Sequence, residues 1–165
     1  MQIERASPQD AEKLTQIAFA AKRHWSYPEE WMESWRDALT LKPESITSHE
    51  THVALIEDAV VGFYALEARN GRPELSHFWV LPEFMGRGVG RALFCHAVKR
   101  ARTLGFQEFE IESDPNAEGF YQRLGARRIG TRLYSIGQDK RQLPVLIYRL
   151  SEGSFDSVTP ATRML

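Results

Sequence analysis

Trp79-Val80-Leu81-Pro82-Glu83-Phe84-Met85-Gly86-Arg87-Gly88-Val89-Gly90-Arg91 decides the fold, because a β-rich stretch passes there through three alternating glycines into an amphipathic helix. Helix N-termini leave backbone N–H groups without intrahelical partners, and glycine lets those groups approach an anion with no Cβ in the way. The resulting nest carries positive partial charge, and Arg87 and Arg91 add full charges beside it. From Phe84 through Gln107 there is no Asp or Glu, while Lys99, Arg100 and Arg102 are present, so one flank is locally basic. The segment reads as a phosphate-holding junction; a tight turn capped by an ordinary helix is the alternative these residues leave open.

The rest of the chain bounds that reading. Its 165 residues, 42% of them hydrophobic, suit one compact domain with a real core. A net charge of -1 argues against a general nucleic-acid binder, whose basic footprint is larger. A single cysteine, Cys95, excludes an internal disulfide framework and any cysteine-rich metal site. His49 and His52 are the only close histidine pair and lack a helical metal-binding pattern, so no metal is expected. Met1 to Arg5 lacks signal architecture, and no apolar run approaches the length needed to span a bilayer. A soluble, cytoplasmic protein is expected, with neither a nucleic acid nor a membrane as partner, as a monomer or homodimer.

Ile3 to Ala6 reads as a strand, followed by a helix that Ser7 caps, Pro8 opens and His24 closes. A second helix begins near Pro28, carries Trp31, Met32, Trp35 and Leu39, and stops before Pro43. Val53–Ile56 and Val60–Leu66 flank Glu57-Asp58-Ala59 as a hairpin, and Asn70-Gly71 turns the chain into a strand over Glu74–Val80. Val89, Leu93, Ala97 and Ala101 form a helical row that Gly105 ends. Phe109 and Ile111 alternate with glutamates in a strand parallel to Glu74–Val80, which makes the connection a right-handed crossover. A short helix from Asp114 or Asn116 to Gly125 and a hairpin of Arg128–Ile136 with Leu143–Leu150 complete the domain, residues 1–150. Ser151 to Leu165 lacks periodicity and reads as a flexible tail.

The junction is not a dinucleotide fingerprint, since Arg91 stands where a third glycine would be needed, and it lacks the Gly-Lys-Ser/Thr ending of a nucleoside-triphosphate loop. The Gly88-x-Gly90 loop, followed one helix and one strand later by Asn116-Ala117-Glu118-Gly119-Phe120-Tyr121-Gln122-Arg123-Leu124-Gly125, resembles the GCN5-related N-acetyltransferase (GNAT) family. That family's loop reads [Gln/Arg]-x-x-Gly-x-[Gly/Ala], and its later helix carries Asn, Ala, Phe-Tyr and Gly. The resemblance covers about Gln2 to Leu150. Met85 departs from it, standing where the family has Gln or Arg, which touches one side-chain contact and not the backbone cradle.

The resemblance implies an α/β (α+β) fold, a mixed central sheet with helices on both faces, and acetyl-CoA lying where two parallel strands splay apart. It implies that Val80, Met85, Gly86, Arg87, Gly88, Val89, Gly90 and Arg91 hold the cofactor, that Asn116 binds its pantetheine arm, and that Tyr121 protonates the leaving sulfur. Asn116 as a plain N-cap and Tyr121 as a packing residue are the alternatives. The base is sought on the strand before the loop, at Glu74 or His77, which stand three apart and point to opposite faces unless a bulge intervenes. Trp25, Tyr27, Glu29 and Glu30 combine aromatics with carboxylates in a manner suited to a cationic amine, with Tyr134 and Ser135 near the same pocket. The implied activity is transfer of an acetyl group from acetyl-CoA to a primary amine of a small molecule or peptide. A non-catalytic acyl-CoA sensor or interaction module is the alternative.

Overall fold

The computed structural model describes residues 1–150; the tail expected from Ser151 onward lies outside the described residues. The order is β1 (Gln2–Arg5), α1 (Ala11–Arg23), α2 (Glu29–Ser34), α3 (Arg36–Leu39), α4 (Pro43–Ser48), β2 (Glu50–Ile56), β3 (Ala59–Arg69), β4 (Arg72–Val80), α5 (Val89–Thr103), β5 (Glu108–Glu112), α6 (Glu118–Arg123), β6 (Arg127–Ile136) and β7 (Asp139–Arg149). One seven-stranded sheet runs β1-β2-β3-β4-β5-β7-β6.

Local chemistry explains the elements. Ser7 and Asp10 form a reciprocal capping box around a 3-10 turn at Pro8–Asp10 that leads into α1. The expected second helix is broken at Trp35, whose φ of -93° and ψ of 0° lie in the bridge region and separate α2 from α3. Pro43, read as a stop, instead supplies the first position of α4, where its missing N–H costs nothing.

The sheet's two faces bury different clusters. Leu14, Ile17, Met32 and Ile46 from α1, α2 and α4 pack with Val53 and Phe63. On the other face Leu93, Phe94, Ala97 and Val98 of α5 and Tyr121 of α6 pack with Leu75, Val80, Phe109 and Ile111.

Two irregularities matter for function. The parallel contact between β4 and β5 holds a single register pair, Glu74 with Glu110. Beyond it β4 and β5 form no further register pair, so that edge of β4 is unpaired among the described residues. Between β3 and β4, Ala65 pairs with His77 and Leu66 with Leu75, so Ser76 is an extra residue, a β-bulge in β4.

Candidate active site

The glycine junction becomes a cradle at the N-terminus of α5. Gly86 and Gly88 take φ of +73° and +84°, the left-handed region that a Cβ disfavours. Among the described residues, chain neighbours aside, no heavy atom lies within 4 Å of where their Cβ atoms would stand, so this backbone is open on that side. The first helical hydrogen bond runs from Ala92 N–H to the Gly88 carbonyl at 3.1 Å, leaving the N–H groups of Val89, Gly90 and Arg91 without a helical acceptor. Gly90 is small for another reason: a Cβ there would stand 3.2 Å from the Phe120 ring.

A cleft of about 540 Å³ opens from this cradle along the unpaired edge of β4. Val80, Met85, Gly86, Gly88, Gly90, Arg91, Asn116, Tyr121 and Trp25 all line it. Tyr121 is 6% exposed, wedged among Phe78, Phe94 and Phe120. Its hydroxyl has no hydrogen-bond partner among the described residues. Burial, reinforced by the charge of Asp114, pushes its pKa up and keeps it protonated.

Other sequence candidates lie elsewhere. Arg87 turns its guanidinium onto the Phe84 ring, 4.9 Å from the centroid, and does not line the cleft. Val89 is 1% exposed and its side chain belongs to the core, so only its N–H is available. Tyr27 donates to Asp114 at 2.9 Å and receives Arg141 at 2.8 Å. Glu29 pairs with Arg23 at 2.8 Å on the surface, and Glu30 is exposed. None of these last three lines the cleft. Cys95 is half-buried.

Asp114, which sequence reasoning treated only as a helix start, organises the cleft floor. It accepts from Lys22 Nζ at 2.7 Å, from Arg141 at 3.0 Å, and from both the N–H and the side-chain amide of Asn116 at 2.9 Å. Burial alone would raise its pKa, but Lys22 and these donors bring it down to about 2. Lys22 and Arg141 also lie over the Trp35 ring, at 4.5 and 4.6 Å from its centroid. Tyr27 and Trp35 therefore pack against internal cations.

The bulge at Ser76 is the exception under which the two base candidates share a face. With one residue inserted between them, Glu74 and His77 share the face of β4 turned toward α3 and α4, where both line a second cavity. His77 accepts the Trp79 indole N–H on Nδ1 at 3.1 Å, and burial lowers its pKa to about 4. Glu74 moves the opposite way, its carboxyl raised by desolvation and then by neighbouring glutamates, against Arg69. Glu112, which sequence reasoning missed, lines both the cleft and the second cavity while accepting from Arg132 and Tyr134, each at 2.7 Å. Its only sequence signal was the alternation of glutamates along β5.

The family profile described as "Acetyltransferase (GNAT) domain" matches residues 10–138 of the chain. The chain belongs to the GNAT acetyltransferase family. Its GNAT fold is similar to that of a GCN5-related N-acetyltransferase from Rhodopseudomonas palustris, at 22% identity, with a TM-score of 0.75 over 90% of this chain and 95% of that one. It is also similar to PaiA N-acetyltransferase from Thermoplasma acidophilum, solved with coenzyme A, at 21% identity and TM-score 0.74 over 90% and 98% of the chains. YncA from Salmonella typhimurium, solved with acetyl-CoA, matches at 18% identity and TM-score 0.67 over 96% and 99%. No curated protein matches the chain. As a GNAT enzyme it is an N-acetyltransferase by class, and the cosubstrate this implies fits the residues present. The free amides of α5 and the open side of Gly86 and Gly88 suit a diphosphate, and the unpaired edge of β4 suits an amide chain.

Proposed function

We propose that the chain moves an acetyl group from acetyl-CoA directly to a primary amine of a small molecule or peptide. The observation that carries this reading is the convergence of the α5 amides and the unpartnered Tyr121 hydroxyl on one cleft. Bound acetyl-CoA supplies an activated thioester carbonyl. The backbone of Gly86 to Gly90 and the Arg91 side chain hold the diphosphate, while Asn116, fixed by Asp114, meets the pantetheine arm. Glu74 takes a proton from the neutral amine nitrogen as it attacks the thioester carbon, and solvent later returns that proton to the Tyr121 oxygen. As the carbon–nitrogen bond forms and the carbon–sulfur bond breaks, Tyr121 Oη donates its proton to the departing sulfur.

Glu74 is the stronger of the two base candidates. Its carboxyl is raised by burial, whereas His77 has its Nδ1 lone pair occupied by Trp79 and a pKa near 4. Calorimetric titration with acetyl-CoA, followed by free-thiol release on a panel of primary amines, tests the reading. Saturable binding with amine-dependent thiol release is expected. Binding without turnover on any amine would favour a sensor.

A further inference from the structure

We infer that Tyr27 is a positioning residue for the cosubstrate: together with Asp114 it takes up both amide hydrogens of Asn116, so that Asn116 offers the cleft its carbonyl oxygen alone and accepts an N–H of the pantetheine arm. This deepens the acetyl-transfer reading and rests on it. The sequence pointed to Tyr27 as an acceptor contact, but its hydroxyl is committed within the chain.

A phenol has one proton to donate and two lone pairs to offer. Tyr27 Oη donates to the Asp114 carboxylate, at 3.0 Å from Oδ1 and 2.9 Å from Oδ2. Its lone pairs receive Arg141 Nη2 at 2.8 Å and Asn116 Nδ2 at 3.1 Å. Asn116 Nδ2 also donates to Asp114 Oδ1 at 2.9 Å, so both of its hydrogens are taken. The neighbours decide which atom of that amide is the nitrogen: an ionised carboxylate, and a phenol oxygen whose proton is already committed, can only accept. Burial, followed by the charge of Asp114, raises the Tyr27 pKa to about 12, so the hydroxyl keeps its proton at neutral pH. No described residue donates to Asn116 Oδ1, and Asn116 lines the cleft.

Aromatic packing fixes Tyr27 itself. Its ring stands edge-on to Trp35 at 5.1 Å and stacks on Trp31 at 6.0 Å, with the Arg141 guanidinium 4.7 Å from its centroid. Asp114 also accepts the backbone N–H of Asn116 at 2.9 Å, so main chain and amide are held by separate bonds. An oxygen oriented before the ligand arrives spares the complex that ordering cost. Each pantetheine amide carries one N–H, and an oxygen fixed in this way disfavours a group that brings only lone pairs.

Calorimetry with coenzyme A and two analogues tests the inference, each analogue having one pantetheine amide replaced by an ester that keeps the C=O and lacks the N–H. One analogue is expected to bind the unaltered protein at least about tenfold more weakly than coenzyme A. Tyr27→Phe keeps the ring but releases one Asn116 hydrogen, so coenzyme A affinity should fall about fivefold and the amide-to-ester affinity ratio should shrink. A purely structural role would weaken amide and ester ligands equally, and an unchanged ratio in Tyr27→Phe overturns the inference. Asn116→Ala, at an exposed position, should also remove the preference for the amide. A ratio that persists there overturns the inference, as do two esters that bind the unaltered protein as tightly as coenzyme A. Failure of coenzyme A itself to bind the unaltered protein would instead sink the acetyl-transfer reading.

Discussion

Asp114 and Lys22, 92 positions apart in the chain, meet at 2.7 Å and join the loop before α6 to α1. Arg141 of β7 closes the same knot at 3.0 Å, and the side chains of all three are 10% exposed or less. Removing the carboxylate leaves two buried cations facing each other. Asp114→Ala is therefore expected to cost about 3–5 kcal/mol of stability, read by urea unfolding. A loss below about 1 kcal/mol would show that water replaces the carboxylate there.

Tyr121→Phe should separate chemistry from binding. The hydroxyl has no partner among the described residues to lose, so folding and coenzyme A affinity should change little, while kcat falls by about 10²-fold or more. Steady-state kinetics beside calorimetry decide the matter. An unchanged kcat would remove Tyr121 from proton transfer.

Gly88→Ala probes the cradle through conformation alone. Its φ of +84° is strained for alanine, and a Cβ meets nothing within 4 Å among the described residues, chain neighbours aside, so the strain is conformational. A stability loss of about 1–2 kcal/mol is expected, together with weaker acetyl-CoA binding as the loop relaxes. Unaltered affinity in calorimetry would mean that the amides there do not contact the cosubstrate.

Acid should unfold this protein by a predictable route. Burial lowers the pKa of both His52 and His77 to about 4, against about 6.5 in an unfolded chain. Between those values the unfolded state binds more protons, so the stability present above pH 6.5 is lost as pH falls toward 4. The slope is at most about 1.4 kcal/mol per pH unit for each histidine. Asp114, held near 2, acts in the same sense, its contribution disappearing as pH drops below its ordinary carboxylate range. Unfolding midpoints at pH 7, 6 and 5 should decline in order, with a shallower decline in His52→Gln. A flat series would contradict this.

Patterns that depend on near neighbours were legible in the sequence. The alternation of Phe109 and Ile111 with glutamates gave β5, and the row from Val89 to Ala101 gave α5. The glycines of the junction gave the cradle. What was not legible depended on register and on distant partners. Nothing local marks Ser76 as a bulge, because the extra residue exists only relative to β3. Tyr27 looked like a substrate contact until its partners, 87 and 114 positions away, were in view. Pro43 carried a real signal that fits both the end of one helix and the start of another.

The lone register pair between Glu74 and Glu110 divides the sheet mechanically. Strands β1 to β4 form one plate and β5, β7 and β6 another, held at a single rung with packing behind it. A molecule lodged in the gap would act as a strut, replacing missing ladder bonds on one side and bracing the plates against relative twist. The seam with the fewest ladder bonds is thus the one that an occupant would brace.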